Sequence, residues 1–416
     1  MIKNNNKVTI LSSLGAGFEY YDFIIFALMS GTLSSLFYAQ VDNEVINIMK
    51  TFMVFALGYV ARPIGGILFA AVGDKSGRKK SFLSIMFLMA GASLLIGCLP
   101  TYDVIGGIAP MFLIILRIVQ GISFGAELPG AITMVAEHTD KNKRGAHTSF
   151  IISSVSLGSV MATLVAYLLN KFLDPQQVLA WGWRIPFLLG GVLAIINYFI
   201  RKGIDETPEF INAQKVFRHK NYLSPMIHLL KGYKLKTLQG IVLTAGTSIL
   251  IITNLFFPIF LNKIYAYEKS DIFSGMTLGV LWCALVIPFF GKLADKKGAG
   301  FSYKIGILSA LFFLFPLLKL LEEGTYMTLV FFLMAYQTII AALMAGYMPL
   351  MVELFPVKIR QTGISVCYNI TYAIMGGAPF VYTYAGALEN ANIIIYCISG
   401  VSFLALAAVY RVRDIK

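Results

Sequence analysis

Apolar residues in this chain come in long runs, and polar residues come in short bursts between them. Twelve runs, at about 9–37, 46–72, 81–99, 106–135, 147–170, 183–201, 238–262, 272–291, 304–321, 326–352, 362–386 and 391–410, reach or approach a membrane-spanning length, which for a helix is ~20 residues. Several exceed it and must tilt or protrude. The pattern predicts an all-α membrane protein of twelve transmembrane helices. The longest polar interruption, 202–236, is rich in Lys, Arg, Asn and Glu and divides the chain six plus six. The expected organisation is an N-terminal six-helix bundle over 1–201, a connector over 202–236 and a C-terminal six-helix bundle over 237–416. Within the connector, Ile211–Phe217 and Pro225–Leu230 read as amphipathic helices lying on the membrane surface. The segment reads first as a plain linker and second as a hinge for rocking.

The polar bursts repeat. Gly73-Asp74-Lys75-Ser76-Gly77-Arg78-Lys79-Lys80 follows the second run, and Gly291-Lys292-Leu293-Ala294-Asp295-Lys296-Lys297-Gly298 follows the eighth. Asp295 lies 221 residues after Asp74. Glu137 and Arg144 stand seven apart after the fourth run; Glu353 and Arg360 stand seven apart after the tenth, 216 residues on. Charged, glycine-punctuated loops recurring half a chain apart indicate two related membrane halves joined together, the architecture of secondary transporters.

Composition and charge then fix orientation. The chain is 57% hydrophobic and 13% charged, with a mean hydropathy of +0.75, whereas soluble domains carry roughly 25% charge. About 26 of the 34 Lys and Arg fall at the N-terminus, in even-numbered loops or at the C-terminus. Odd-numbered loops hold Asp42, Glu44, Asp103, Glu322, Glu323 and Glu389 instead. The positive-inside rule places both termini in the cytoplasm and accounts for the net charge of +13. With no soluble basic face, a nucleic-acid partner is not expected. The first run is too long for a signal core and lacks a small-residue cleavage site, so it is read as a retained helix.

Catalytic chemistry is hard to assemble. Cys98, Cys283, Cys367 and Cys397 are isolated in apolar runs and read as small buried hydrophobes. No metal site is expected. His138 and His147 flank a loop, and His219 and His228 lie in the connector. No nucleophile–base pair or phosphate-cradling loop can be built, so an enzyme is not expected.

Further motifs, in order along almost the whole chain, carry a resemblance. They are Glu19-Tyr20-Tyr21-Asp22-Phe23, Ala61-Arg62-Pro63-Ile64-Gly65, Arg117-Ile118-Val119-Gln120-Gly121 through Gly125-Ala126-Glu127, Glu137-His138, Trp181 to Phe187, Glu206-Thr207-Pro208, Glu353-Leu354-Phe355-Pro356 and Tyr368-Asn369. With the Gly73–Lys80 loop, they resemble the major facilitator superfamily and its metabolite:H⁺ symporter branch, relatives of proline/betaine, α-ketoglutarate, shikimate and citrate carriers. Ala70 stands where that loop's first glycine is expected, while Gly291 keeps it.

Asp22 and Arg117 lie mid-way along the first and fourth runs. An ionised group at that depth costs ~2.5–3.5 kcal/mol on insertion scales, so such residues face a cavity and pair. If the two helices adjoin, as the resemblance implies, Asp22 takes a proton from outside, frees Arg117 for an anionic substrate group and releases the proton inside. The plainer reading is a static ion pair. Arg117, Gln120, Phe124 and Glu127, at spacings of three, four and three, share one helical stripe. Glu127 reads as a later proton stop or a gate residue, and Glu19, one turn before Asp22, raises the same choice. Arg62, before Pro63, is a carboxylate ligand or a structural arginine; Pro63 bends its helix and Gly65 and Gly66 permit close contact. Asp74, Arg78, Glu137, Arg144, Asp295, Glu353 and Arg360 read as a cytoplasmic gate, with Asp74 at the positive end of a neighbouring helix, Arg78 on Glu137, and Asp295 with Glu353 as the mirror. In the second half, Asn254, Tyr336, Gln337, Tyr368, Asn369 and Tyr372 are deep polar groups that bind substrate or glue helices. Pro258, Pro288, Pro349 and Gly376-Gly377 mark bends or close contacts.

The expected function is proton-driven import of a small polar, carboxylate-bearing metabolite (an organic acid, amino acid or betaine) by alternating access, with no cofactor beyond the proton gradient. A larger carboxylate-type siderophore is an alternative. Proton-coupled efflux is another, weakened because exporters of this superfamily carry a glycine–proline motif in helix five, and here Ser153–Leu169 holds Gly158 and no proline. A membrane sensor would need a signalling segment that the short tails do not offer. Expected partners are the substrate, protons and the lipid bilayer, with a monomer in a bacterial cytoplasmic (inner) membrane.

Overall fold

The computed structural model describes residues 2–38, 44–203, 205–216, 224–378, 381–382 and 390–411. Asp42, Phe217, His219, Glu389 and the Glu44 side chain lie outside these residues. Long helices follow the apolar runs: α1 Ile2–Leu28, α2 Glu44–Ser76, α3 Arg78–Cys98, α4 Ile108–His138, α5 Arg144–Phe172, α6 Arg184–Lys202, α7 Lys234–Tyr265, α8 Lys269–Lys297, α9 Ala299–Leu320, α10 Tyr326–Leu354, α11 Arg360–Met375 and α12 Asn392–Arg411. Among the described residues there is no strand. Nine helices there are long and apolar enough to cross a membrane, and α1 with Ser30–Phe37, bent by 65° at a break, makes a tenth. That break falls at Met29, just before Ser30-Gly31, a Gly/Ser pair of the kind that kinks helices. α11 is shorter than its apolar run because it stops at Met375, before Gly376-Gly377.

Large apolar side chains lie on the outside of the bundle and charged ones within it. Phe87, Phe172, Leu285, Phe289 and Met327 are exposed, while Glu19, Asp22, Arg62, Arg117, Glu127 and Arg201 are buried. This inversion suits a solvent of lipid tails, where charges turn to the interior. Cys98 departs from expectation: it is exposed at the end of α3, whereas Cys283 and Cys367 are buried and Cys397 half-buried.

α1 packs on α5 and α6, α2 on α4, and α3 on α4 and α6. In the later part of the chain, α7 packs on α11 and α12, α8 on α10, and α9 on α10 and α12. The two groups meet where α2 lies along α11 and α5 lies along α8. α2 reaches α4 closely because a Cβ at Gly65 would lie 1.7 Å from Ile122 O, and one at Gly125 would lie 2.1 Å from Arg62 O. The two basic loops repeat one backbone turn, with Gly77 at φ 110° and ψ 148° and Gly298 at φ 95° and ψ 145°. Both angles fall where a side chain is strained, which explains glycine at each. The connector forms helices over Pro208–Val216 and Ser224–Gly232.

Candidate functional site

Two clusters of buried charge lie in this frame. One closes the face that carries the basic loops. Arg78 lies at its centre, donating to Asp74 Oδ1 at 2.6 Å, to Glu137 Oε1 and Oε2 at 3.1 and 3.2 Å, and to the carbonyls of Gly73 and Val357 at 2.7 Å. Asp74 accepts from the backbone N–H groups of Gln361 and Thr362 at 3.3 and 2.8 Å, the first turn of α11. Asp295 does the same to α5, accepting from Gly145 and Ala146 at 2.7 and 2.9 Å. Each carboxylate thus sits on the positive end of a helix from the other group. Arg144 and Arg360 also act alike: each donates from Nε to the carbonyl eight residues earlier, Ala136 at 2.9 Å and Val352 at 3.1 Å. Arg360 then reaches across to Glu137 Oε1 at 3.0 Å.

The mirror is incomplete. Ala299 stands where a counterpart of Arg78 would be, 221 residues on, so no guanidinium reaches from there toward Glu353. The connector supplies contacts that sequence reasoning did not assign. Glu206 accepts from the N–H groups of Arg78 and Lys79 at the start of α3, at 3.0 and 3.3 Å. Thr207 Oγ1 donates to Glu137 Oε2 at 2.6 Å, and Glu209 bridges Arg144 and Arg360, the latter at 2.5 Å. A plain linker would leave these groups in water; here they complete the charge cluster. The sequence signal was present as acids at Glu206 and Glu209 in an otherwise basic segment.

The second cluster lies in the interior of α1–α6. Asp22 Oδ2 accepts from Ser93 Oγ at 2.5 Å and Gln120 Nε2 at 2.8 Å, and Gln120 Oε1 accepts from Arg117 Nη1 at 3.2 Å. Asp22 and Arg117 are therefore brought together through Gln120, not by a direct ion pair. Asp22 Oδ1 is buried and accepts no hydrogen bond from any described residue. Arg62 lies against three rings, with its guanidinium carbon 4.2 Å from Phe23, 4.0 Å from Tyr59 and 4.3 Å from Phe124. Arg117 shares Phe23, at 4.8 Å, and stacks on Phe26 at 4.0 Å. Among the described residues no carboxylate lies within ion-pair distance of Arg62, which is only 4% exposed. Glu19 and Glu127 are both near Arg201, with Nη1 at 4.0 and 2.5 Å. Ser93, Tyr59, Asn197 and Arg201 are parts of this interior that the sequence reading did not assign.

The deep polar groups of the later helices are spread out. Asn369 Nδ2 donates to Gly125 O at 2.6 Å, joining α11 to α4. Tyr368 and Tyr372 pack together with their rings tilted by 35° and centroids 4.4 Å apart. Tyr336 donates to Leu250 O at 2.7 Å and packs on Phe257 and Phe332. Gln337 is buried and Asn254 is half-buried, and neither borders an ion pair among the described residues.

A helical bundle with paired basic loops and charged centre is matched by a sequence profile of the Major Facilitator Superfamily over residues 12–414. The chain belongs to that superfamily. It is 32% identical over 394 residues to a Staphylococcus aureus (strain MSSA476) protein named as a proline/betaine transporter, covering 92% of this chain and 82% of that one. It is 30% identical over 374 residues to the alpha-ketoglutarate permease of Escherichia coli (strain K12), covering 88% and 84%. Among solved structures it is similar to the superfamily's proton:xylose symporter XylE, with a TM-score of 0.79 at 16% identity over 99% of this chain and 96% of that one. At that identity the likeness concerns the fold. This member of the superfamily is a multi-pass membrane transporter of metabolites.

Proposed function

We propose that the chain imports a small carboxylate-bearing metabolite together with protons, by alternating access across a bacterial cytoplasmic membrane. Twelve crossings, cytoplasmic termini and a monomer without cofactor complete the reading. The observation that carries it is Arg62: a buried guanidinium on three aromatic rings, with no carboxylate partner among the described residues. A buried cation in that state is costly until an anion arrives, and a substrate carboxylate matches a guanidinium fork. The names of the relatives, which concern proline, betaine and alpha-ketoglutarate, support the same class.

Asp22 is the proton site of this reading. Protonation there loosens the hold of Gln120 on Arg117, letting the guanidinium turn to substrate. One proton moving down 100 mV contributes about 2.3 kcal/mol, enough for tens-fold accumulation. The loop-face cluster acts as the gate: with Arg78, Glu137 and Arg360 joined across the two groups of helices, that face is held closed.

The test is uptake into proteoliposomes under an inside-alkaline gradient, with labelled carboxylates, amino acids, betaines and siderophores. Wild-type protein is expected to accumulate one class and lose it with a protonophore. Asp22→Asn is expected to abolish accumulation, and Arg62→Gln to lower affinity by ten-fold or more, about 1.4 kcal/mol or above. Accumulation that survives both the protonophore and Asp22→Asn sinks the proton reading. Release from preloaded vesicles without uptake hands the case to efflux.

A further inference from the structure

The triad of Glu19, Glu127 and Arg201 joins α1, α4 and α6 on the loop-face side of Asp22. All three are buried, at 3%, 2% and 2% exposure. Arg201 Nη1 donates to Glu127 Oε1 at 2.5 Å, and its Nη2 donates to Ser12 O at 3.0 Å. Asn197, one turn before Arg201 on α6, donates to Glu19 Oε1 at 3.4 Å. The approach depends on Gly15, where a Cβ would lie 2.2 Å from Arg201 Nη2 and 2.4 Å from Asn197 Oδ1. The Phe82 ring of α3 covers the guanidinium at 4.4 Å.

Charge does not balance here as ions. Two carboxylates and one guanidinium leave a net negative charge among buried side chains, where an uncompensated ion is strongly disfavoured. The two carboxyls converge on one nitrogen, Arg201 Nη1, at 4.0 and 2.5 Å, and Glu127 Oε2 receives no hydrogen bond from any described donor. Neither carboxylate has a hydrogen to give. A single proton resolves both facts: it bonds the two acids and makes the cluster neutral, as in other carboxyl pairs too close for both to ionise. Asp22, three residues further along α1, is the next acid, about 4.5 Å along the helix axis. From α5, His147 meets α1 at Thr9 Oγ1, 2.6 Å away, three residues before the Ser12 carbonyl that Arg201 binds.

We propose that Glu19 and Glu127 hold one proton between them, opposite Arg201, and form the inner station through which a proton released by Asp22 leaves. The O–H bond of Asp22 breaks as one forms on the pair, and the proton already there passes to water once the loop face opens. Each step moves one proton, and the pair returns to one shared proton, neutral together with Arg201. The exit role rests on the symport reading; the shared proton does not.

The experiment is infrared spectroscopy of the full chain in lipid at neutral pH in D2O, in an Asp22→Asn background so that Asp22 adds no signal. One carboxylic-acid C=O band is expected to disappear in Glu19→Gln, and the same band in Glu127→Gln, with no further loss in the double variant. That equality is the signature of a single shared proton, because the remaining acid is then balanced by Arg201 and ionises. Different bands lost in the two single variants, or no band lost in either, overturns the proposal. Should Glu127→Gln not fold, Glu127→Asp is expected to shift the band without removing it, and an unchanged band overturns the proposal equally. In proteoliposomes, Glu127→Gln is expected to keep substrate exchange and lose gradient-driven accumulation. If wild-type accumulation ignores the pH gradient, the symport reading falls and the infrared result stands alone.

Discussion

The interiors of the two six-helix groups are made of different chemistry. α1–α6 bury Glu19, Asp22, Arg62, Arg117, Glu127 and Arg201 within their cores, whereas α7–α12 bury hydroxyls and amides such as Thr244, Thr247, Thr253, Tyr303, Tyr336, Tyr347 and Gln337. Among the described residues, the buried charge that the later helices contribute is Arg360, and it lies at the interface, on Glu137. Polar groups of the later helices satisfy one another locally: Thr244 with Tyr347 at 2.9 Å, Thr253 with Tyr382 at 2.7 Å, Tyr303 with Leu243 O at 2.6 Å. A hydrogen bond between neutral groups costs little to hold and changes little with pH, while a buried acid can exist in two charge states. In the symport reading proposed above, the first group holds the side chains that switch, and the second is their unswitched partner.

The strongest way to break this contrast is to remove Arg78. Its loss leaves Asp74 with only the two N–H groups of α11 and Glu137 with only Arg360 and Thr207, and removing one partner of a buried pair costs about 3–5 kcal/mol. Arg78→Ala is expected to lower the melting temperature in detergent sharply and to speed amide exchange at Gln361 and Thr362, the groups bound to Asp74. Unchanged exchange there means the loop face does not rely on Arg78.

A finer comparison sets the two helix-capping acids against each other. Asp74 has both a guanidinium and two N–H groups, while Asp295 is half-buried and has the two N–H groups of Gly145 and Ala146. Asp74→Asn is expected to cost about 2–3 kcal/mol and Asp295→Asn about 1 kcal/mol. Amide exchange at 361–362 and at 145–146 reads each latch separately. Equal losses would show that Ala299 at the Arg78-equivalent position makes no difference.

Sequence alone reached the charged residues of the first group because an acid or arginine inside an apolar run is conspicuous. It also reached the paired loops, because the repeat is written in residue type and spacing. It did not reach the way Asp22 and Arg117 meet: Gln120 and Ser93 join them only because α1, α3 and α4 converge, which no single helix encodes. Arg201 was passed over for a physical reason. At the end of an apolar run it looks like an interfacial arginine, and only Gly15 on another helix lets it turn inward. Its face was legible in one respect, since Asn197 sits four residues earlier, on the same stripe. Glu206 and Glu209 stood out as acids in a segment whose net composition is basic, but their partners Arg78, Lys79, Arg144 and Arg360 lie on distant elements that the local sequence does not name.

Tyr336 shows where such reading stops, and it gives the smallest expected effect. A tyrosine deep in an apolar run serves equally well as a substrate ligand or as internal packing. Its hydroxyl is directed to Leu250 O, and its ring lies among Phe257 and Phe332, at centroid distances of 4.8 and 6.0 Å. Removing only the oxygen keeps the ring contacts and deletes one neutral hydrogen bond, worth about 0.5–1.5 kcal/mol net. Tyr336→Phe is therefore expected to melt slightly earlier and to transport within two-fold of wild type at all pH values, in contrast to Asp22→Asn. A folded Tyr336→Phe that accumulates nothing would place a substrate contact inside α7–α12, and the second group could no longer be regarded as the passive one.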